Sequence, residues 1–201
     1  MPQFHDRPLG DDALDQLFRE ARSYNGWLDR PVGDEQIHAI YNLLKMGPTS
    51  ANMQSSRLVW CKSPEAKERL AAHAMESNRQ KVLTAPVCVI IGFDRDFHQQ
   101  LPWLFPHTDA KSWFEGDEQG REQGARRNSA LQGAYLMLAA RALGLDCGPM
   151  SGVDLEGVTR EFFANSPQVQ ADWICSIGYG DPRSIFERSP RPAFDTFNRI
   201  I

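Results

Sequence analysis

The apolar residues of this 201-residue chain follow two repeats, one helical and one extended. Apolar positions at i, i+3, i+4 and i+7 predict amphipathic helices. The expected caps are present, since Asp11, Asp34, Ser63 and Asp154 each stand close to the start of a stripe and Gly144 follows the longest one. The predicted helical segments are 14–21, 37–44, 64–75, 127–143 and one that contains Val158 and Phe162.

The longest of these helices is predicted to lie at the centre of the fold. Leu131, Tyr135, Leu138 and Ala142 share one of its faces, and several alanines keep it slim. Slim helices pack closely against their neighbours, so we expect this helix to be central.

Three short apolar segments are predicted to be strands, "RLVWCK", "APVCVIIGF" and "DWICSIGYG". The second has no alternating polar positions, which is typical of a strand buried on both faces. Helices and strands mix without strict βαβ alternation, which favours an α+β domain over a doubly wound parallel sheet. We therefore expect one domain over residues 1–201.

A segment rich in proline and aromatic residues separates the second strand from the longest helix, over residues 94–124. It is too long for a plain connection and too aromatic for a linker. Two interpretations stay open, a cover over a site or a surface helix pair packed on the core. The aromatic residues available for such a cover are Trp103, Phe105, Trp113 and Phe114.

Composition and charge exclude several classes of protein. The net charge of -4 offers no basic field for a nucleic-acid backbone, so no nucleic-acid partner is expected. The N-terminus has no secretory signal pattern, and the apolar runs are too short to span a bilayer. A soluble cytoplasmic protein without a membrane partner is the simplest interpretation.

Common catalytic and cofactor motifs are absent from the sequence. There is no G-x-G-x-x-G after a strand, no Walker pattern and no G-x-S-x-G elbow. The five histidines lie in separate segments, so no metal site is predicted. The widely spaced cysteines, which are expected to be reduced core residues, are Cys61, Cys88, Cys147 and Cys175.

What remains is a set of groups suited to a flavin mononucleotide: arginines for a phosphate, small polar residues for the ribityl chain, and a glycine-containing stretch, "CGPMSG". The segments "ARSYNGWLDRPVGDE", "MGPTSANMQSSRLVW", "SNRQKVLTAPVCVIIGF", "LMLAARALGLDCGPMSGVD" and "IGYGDP…SPRPAF" occur in an order that resembles the nitroreductase family of FMN-dependent oxidoreductases. The resemblance covers nearly the whole chain. It implies a mixed, mainly antiparallel sheet flanked by helices, and a C-terminal tail that embraces a dimer partner.

The resemblance also assigns residues to the flavin. It implies that Arg22 and Ser23 hold the phosphate end together with Arg191. Ala21 and Asn25 replace the family's usual basic residues, so either fewer charges hold the phosphate or Arg188 joins them.

The resemblance places the other contacts in three segments. Asn78 and Lys81 fall where the family contacts the ring, and a cation there would stabilise the reduced flavin. The backbone N–H of the turn at Ser151 and Gly152 would face N5, because glycine allows close approach. The family's loop that reaches the flavin across a homodimer interface is matched by Pro48, Thr49, Ser50 and Asn52.

The reaction that the resemblance implies is a ping-pong hydride transfer from NADH or NADPH through N5 of bound FMN to a small acceptor, with no assigned catalytic side chain. The shorter motifs resemble a branch that reduces malonic semialdehyde to 3-hydroxypropionate in pyrimidine catabolism. The alternatives are a nitroreductase or quinone reductase of broad acceptor range, a flavin-binding module without turnover, and a thiol enzyme built on Cys147 or Cys175.

Overall fold

The structure is a computed structural model that describes residues 7–201, so the first six residues of the predicted single domain lie outside the described residues. Eight α-helices and four strands are assigned in this range, with short 3₁₀ turns between them. The helices are α1 Asp11–Leu14 (continued by a π-helical turn Asp15–Arg19), α2 Asp34–Leu44, α3 Pro64–His73, α4 Glu76–Thr84, α5 Leu101–Leu104, α6 Glu118–Ala142, α7 Leu155–Phe162 and α8 Phe194–Phe197. The strands are β1 Ser56–Cys61, β2 Val87–Asp94, β3 Asp146–Met150 and β4 Val169–Gly178.

The four strands form one antiparallel sheet in the order β1-β2-β4-β3. Ile90 of β2 pairs with Val59 of β1 on one side and Ile174 of β4 on the other. All eight residues of β2 are buried, which confirms the prediction of a strand covered on both faces. The α+β fold class is confirmed.

Helices cover the two faces of this sheet. On one face α3, α4 and α7 enclose an apolar cluster that includes Leu70, Val82 and Val158, and on the other α2 and α6 enclose one that includes Ile40 and Leu136. Packing of these clusters against the strands holds the three layers together.

The predicted caps are confirmed at three helix ends. The Ser63 hydroxyl accepts the amide of Ala66 at 3.2 Å, and Asp154 accepts the amide of Gly157 at 3.0 Å. Gly144, which follows the end of α6, has φ +75°, a conformation that glycine adopts without strain.

The predictions of aspartate caps for the first two helices are wrong. Gly10 and Gly33 occupy the N-cap positions, and glycine has no side chain that could accept a hydrogen bond from the first turn of the helix. The side chain of Gln36 instead accepts the Gly33 amide at 3.0 Å, and Asp34 becomes the first helical residue of α2, paired with Lys62.

The longest helix is central, as predicted, but it starts nine residues earlier than expected and its predicted stripe does not face the core. Leu131 and Tyr135 are 48% and 39% exposed. Apart from Leu136, the buried side of α6 carries small and polar residues instead, because the helix lies close to the strands. Gly133 marks this close approach, since a Cβ there would overlap the ring of Trp173.

The segment between β2 and α6 is packed on the body of the protein. Phe97, Leu101 and Ala110 are buried in a third apolar cluster with Phe105 and Phe114 at its edge. Of the two interpretations of this segment, surface helices packed on the core is the one that fits Phe105 and Phe114.

Glycines on opposite sides of α6 provide a matched test of this packing. Gly133→Ala forces a methyl group into the Trp173 ring, and we expect it to lower the free energy of unfolding by about 2 kcal/mol. Gly124→Ala, where a Cβ meets no atom within 4 Å, should raise it by about 0.5–1 kcal/mol through helix propensity. Urea denaturation of the two variants measures both values, and equal shifts would contradict the proposed close approach.

Candidate functional site

A first group of candidate residues gathers at the start of β3. Ser23 forms an isolated parallel bridge with Cys147, and the Tyr24 amide donates to the Cys147 carbonyl at 3.0 Å. Gly148 makes this approach possible, because a Cβ there would lie 2.5 Å from the Tyr24 carbonyl oxygen. The segment of Arg22 and Ser23 is thereby fixed along the edge of the sheet.

The arginines predicted to hold a phosphate divide into two groups. Arg22, which is half-buried, donates through Nη2 to the Phe186 carbonyl, and Arg188 donates to the carbonyls of Arg19 and Ala21 at 2.7 and 3.2 Å. These two arginines tie the start of the tail to the Arg22 segment and keep further N–H donors. Arg191 instead donates to carbonyls of its own segment and lies exposed.

The charge at this end of the sheet is mixed. Burial raises the pKa of Asp146, although the Gly180 amide donates to its carboxylate at 3.0 Å and opposes the shift. Burial is the main cause that raises the pKa of Tyr24, and the Asp146 charge adds to it, while the nearby Arg22 opposes the shift. Arg22 is half-buried, so its charge is less screened than a charge on the open surface.

A second group of candidates lies at the other end of β3. The sequence interpretation of "CGPMSG" as one turn is wrong, because Cys147 to Met150 form most of an edge strand and only the residues after it turn. Pro149 is compatible with an edge position. In the turn itself the Val153 amide donates to the Ser151 carbonyl at 2.9 Å.

The carbonyl of Gly152 is held by two donors from the start of α4. The Met75 amide and the Asn78 Nδ2 each donate to it at 3.0 Å. A Cβ on Gly152 would lie 2.6 Å from Asn78 Nδ2 and 3.1 Å from the Met75 sulfur. Glycine thus leaves room for the Asn78 and Met75 side chains, a reason that sequence reasoning did not identify.

The predicted ring contacts share one face of α4. Asn78 and Lys81 are three residues apart, and Asn78 is 9% exposed. The Lys81 carbonyl accepts the Ser176 hydroxyl at 3.1 Å, which ties this helix to β4. The side-chain nitrogen of Asn78 already donates to the Gly152 carbonyl. Asn78 therefore supports the turn in addition to the ring contact predicted for it.

The third predicted segment is the loop before β1. Its residues Ala51, Asn52 and Gln54 have φ values of +49°, +48° and +42°. Asn52 donates to the Leu104 carbonyl at 2.8 Å, and Thr49 accepts the Gln54 amide at 3.3 Å. Within residues 7–201 no hydrogen bond joins this loop to the β3 groups, and β1 and β3 are the opposite edge strands of the sheet, so one chain does not bring the two sets of candidates together.

An open cleft of about 610 Å³ lies beside this loop. Trp60, Trp103 and Leu104 supply apolar walls, and Arg57 and Gln54 supply polar ones. Of the four aromatic residues considered as a cover, Trp103 alone borders this cleft. Trp60 and Arg57 were missed by sequence reasoning, since a tryptophan and an arginine within a strand give no local signal of a site.

The four cysteines, Cys61, Cys88, Cys147 and Cys175, are buried and free, as predicted. Burial raises the pKa of Cys61 to about 11 and that of Cys88 to about 12. A hydrogen bond with the Cys147 thiol, together with burial, raises the pKa of Cys175. The thiolate is the nucleophilic form, so the raised pKa values disfavour Cys61, Cys88 and Cys175 as nucleophiles, and Cys147 is fully buried.

Two further findings concern the described residues, 7–201. No three His, Cys, Asp or Glu side chains cluster as metal ligands would. No helix in this part of the chain is long and apolar enough to cross a membrane.

Comparison with known proteins identifies the family. The model of the nitroreductase family matches residues 3–181. A Stenotrophomonas maltophilia (strain R551-3) protein named "Putative NADH dehydrogenase/NAD(P)H nitroreductase" is 54% identical over 188 residues, which cover 94% of this chain and 95% of the relative. The chain therefore belongs to the nitroreductase family, and the resemblance inferred from sequence is confirmed.

Solved structures share the fold. An Exiguobacterium sibiricum structure described as a "putative nitroreductase in complex with FMN" has a TM-score of 0.83 at 19% identity, with 96% of this chain and 99% of that one covered. A Staphylococcus epidermidis structure described as a "putative NAD(P)H:FMN oxidoreductase" has a TM-score of 0.84 at 20% identity, with 99% and 100% covered. At these identities the likeness shows the fold.

The thiol environment gives a direct prediction. At pH 8 the thiolate fractions of Cys61 and Cys88 are about one part in a thousand or less, so a disulfide reagent should label the native protein negligibly. All four cysteines should react after denaturation. Reagent absorbance measures both. Rapid labelling of Cys147 or Cys175 in the native protein, with loss of activity, would restore the thiol-enzyme alternative.

Proposed function

We propose that the protein is an FMN-dependent NAD(P)H oxidoreductase. The observation that carries the proposal is the Gly152 turn, whose carbonyl is fixed by Met75 and Asn78 at the end of an edge strand that also aligns Ser23. Membership of the nitroreductase family and the names of the relatives support it. Bound FMN would supply the chemistry, which is acceptance of a hydride from NADH or NADPH at N5 and its donation to an acceptor.

The residues at the start of β3 fit the phosphate end of FMN. Arg22 and Arg188 each donate hydrogen bonds to main-chain carbonyls, which fixes the guanidinium groups. Other N–H groups of both side chains remain available for an anion. Ser23, which follows Arg22 in the chain, is exposed. Arg191, which is exposed on the tail, would have to reorient to join this group, and we keep it as a proposed ligand on the resemblance alone.

The residues at the end of β3 fit the ring. The fixed turn of Ser151 and Gly152 would present a backbone N–H to N5, without a side chain between them. Lys81, one turn along α4 from Asn78, would place a cation near the part of the ring that becomes negative on reduction. The role of the protein is to orient these groups, and no side chain is assigned as the proton donor.

A homodimer would bring the two sets of candidate residues together. Pro48, Thr49, Ser50 and Asn52 of one subunit would reach the FMN held by β3 of the other. Support comes from the large apolar side chains exposed on α2, α6 and the tail, which are too numerous for a water-facing surface. They are Tyr41, Leu43, Leu131, Tyr135, Phe186, Phe194 and Phe197.

The proposed acceptor is a small semialdehyde such as malonic semialdehyde, reduced to 3-hydroxypropionate. This choice rests on the short motifs, including "GPMSG" and "IGYGD". A second candidate is a nitroreductase or quinone reductase of broad range, which is favoured by the names of the relatives and by the cleft beside Trp60 and Trp103. Planar aromatic acceptors stack favourably on such side chains.

Spectroscopy of the purified protein tests the function. The proposal expects a yellow protein with flavin bands that bleach under NADH or NADPH without oxygen, and steady-state kinetics of ping-pong form. Recolouring by malonic semialdehyde supports the first acceptor, and recolouring by a quinone or nitroaromatic alone supports the second. Bound FMN that NAD(P)H does not reduce would identify a flavin-binding module, and a protein without affinity for FMN would overturn the proposal.

Substitution of Gly152 tests the proposed turn. In Gly152→Ala the new Cβ would lie 2.6 Å from Asn78 Nδ2, so the Asn78 side chain or the turn must shift, and we expect FMN to bind about tenfold more weakly and to be reduced more slowly. Flavin fluorescence titration and stopped-flow absorbance give the two values. Gly124→Ala, distant from the turn, is the control and should bind FMN as the wild type does. A Gly152→Ala variant with unchanged affinity would remove this turn from the site.

A further inference from the structure

The side of α6 that faces the body of the protein carries three polar residues where a core helix usually carries apolar ones. Asn128, Ser129 and Gln132 are 5%, 0% and 4% exposed. Burying a polar side chain is unfavourable unless it is hydrogen bonded, so the partners of these residues show what the burial achieves.

Two of the three residues bond to the loop before β1. Asn128 Oδ1 accepts the Ser50 amide at 2.8 Å. Gln132 Nε2 donates to the Gln54 side chain at 2.7 Å, while its Oε1 accepts the Ser56 amide at 2.9 Å. The loop is therefore fixed to α6 at both of its ends.

An ion pair fixes the same loop from β1. Arg57 Nη1 donates to the Gln54 carbonyl at 2.9 Å, and its Nη2 pairs with the buried carboxylate of Asp94 at 2.6 Å. The Asp94 carboxylate also accepts the Asp96 amide at 2.8 Å. The Asp94 carboxylate thus fixes the Arg57 guanidinium, and the guanidinium fixes the loop through the Gln54 carbonyl.

The loop needs such restraint because its backbone is strained. Ala51, Asn52 and Gln54 all have φ near +45°, in the left-handed region that residues with a Cβ adopt at a cost in free energy. Strain of this kind persists where the surroundings determine the conformation, and it concentrates at functional sites. Without its anchors the loop would relax toward ordinary φ values.

We propose that Asn128 and Gln132 are positioning residues, which hold the Ser50–Gln54 backbone in the conformation that presents Thr49, Ser50 and Asn52 to FMN. The inference rests on the proposed function. Both side chains are almost fully buried, and their amide groups are already bonded to the loop, to Ser56 or to α6 itself, although Gln132 also borders the cleft beside the loop. Their effect on the site is transmitted through the main chain of the loop.

Two variants and a matched control test this role. In Asn128→Ala and in Gln132→Ala the FMN-loaded protein should release flavin about five- to tenfold faster, because the first variant loses the bond to Ser50 and the second loses the bonds to Gln54 and Ser56. The visible circular dichroism of the bound flavin should change with it. The control is Ser129→Ala, whose equally buried hydroxyl bonds to the Gly92 carbonyl and to Ser56 Oγ, outside the strained segment. It should release FMN at the wild-type rate.

A rescue separates positioning from a general loss of stability. Glycine adopts a φ of +49° without a Cβ clash, so Ala51→Gly removes strain from the loop. In the Asn128→Ala background, Ala51→Gly should return flavin release to within about twofold of the wild type. A protein that was merely destabilised elsewhere would not regain FMN retention from this change.

Hydrogen exchange measures the protection of the loop amides in protein without flavin. The inference and the proposed function can therefore fail separately. Faster exchange of the amides from Ser50 to Gln54 in Asn128→Ala, but not in Ser129→Ala, supports the positioning role. Equal exchange in the two variants, or equal flavin release, overturns it. Failure of the wild-type protein to bind FMN would overturn the proposed function, and the exchange comparison would still decide how the loop is held.

Discussion

The burial of β2 on both faces is the constraint on which the rest of the structure depends. A strand with no solvated face needs a layer on each side, and α3, α4 and α7 supply one while α2 and α6 supply the other. The candidate residues follow from this arrangement. The turn after β3 meets the start of α4 on one face of the sheet, and the loop before β1 meets α6 on the other.

The close approach of α6 has two consequences. Small residues such as Gly133 let the helix lie against β4, and the polar residues Asn128 and Gln132 then come within reach of the loop main chain. The larger apolar residues Leu131 and Tyr135 are left on the outer side. One helix thus packs the sheet, supports a strained loop and presents an apolar surface.

Local signals in the sequence were enough for much of the fold. The unbroken apolar run of β2, the Ser63 and Asp154 caps and the glycine after α6 each depend on neighbours in the chain, and each was predicted correctly. The buried face of α6 was predicted wrongly. The apolar stripe of Leu131 and Tyr135 is exposed, and a different side of the helix meets the sheet.

The candidate residues came from family motifs in the sequence, whereas their relative placement came only from the structure. Family motifs located Arg22, Asn78 and Gly152, yet the bond between Asn78 and the Gly152 carbonyl joins residues far apart in the chain. The stretch "CGPMSG" suggested a turn because glycine and proline are common in turns, whereas pairing with β4 makes most of it an edge strand. The strained loop gave no signal, since Ala51 occupies a position where a left-handed backbone would favour glycine.

The distribution of sulfur atoms has a consequence for damage by oxidants. All four cysteines are buried, and burial also raises the pKa of Cys61 and Cys88, so oxidation would occur first at methionines that solvent can reach. Met75 is one of these, 63% exposed, and its amide holds the Gly152 carbonyl while its sulfur packs beside that glycine. Conversion of Met75 to its sulfoxide would place a polar group against the turn. Ageing of the protein in air would therefore reach the candidate site before it reaches the core.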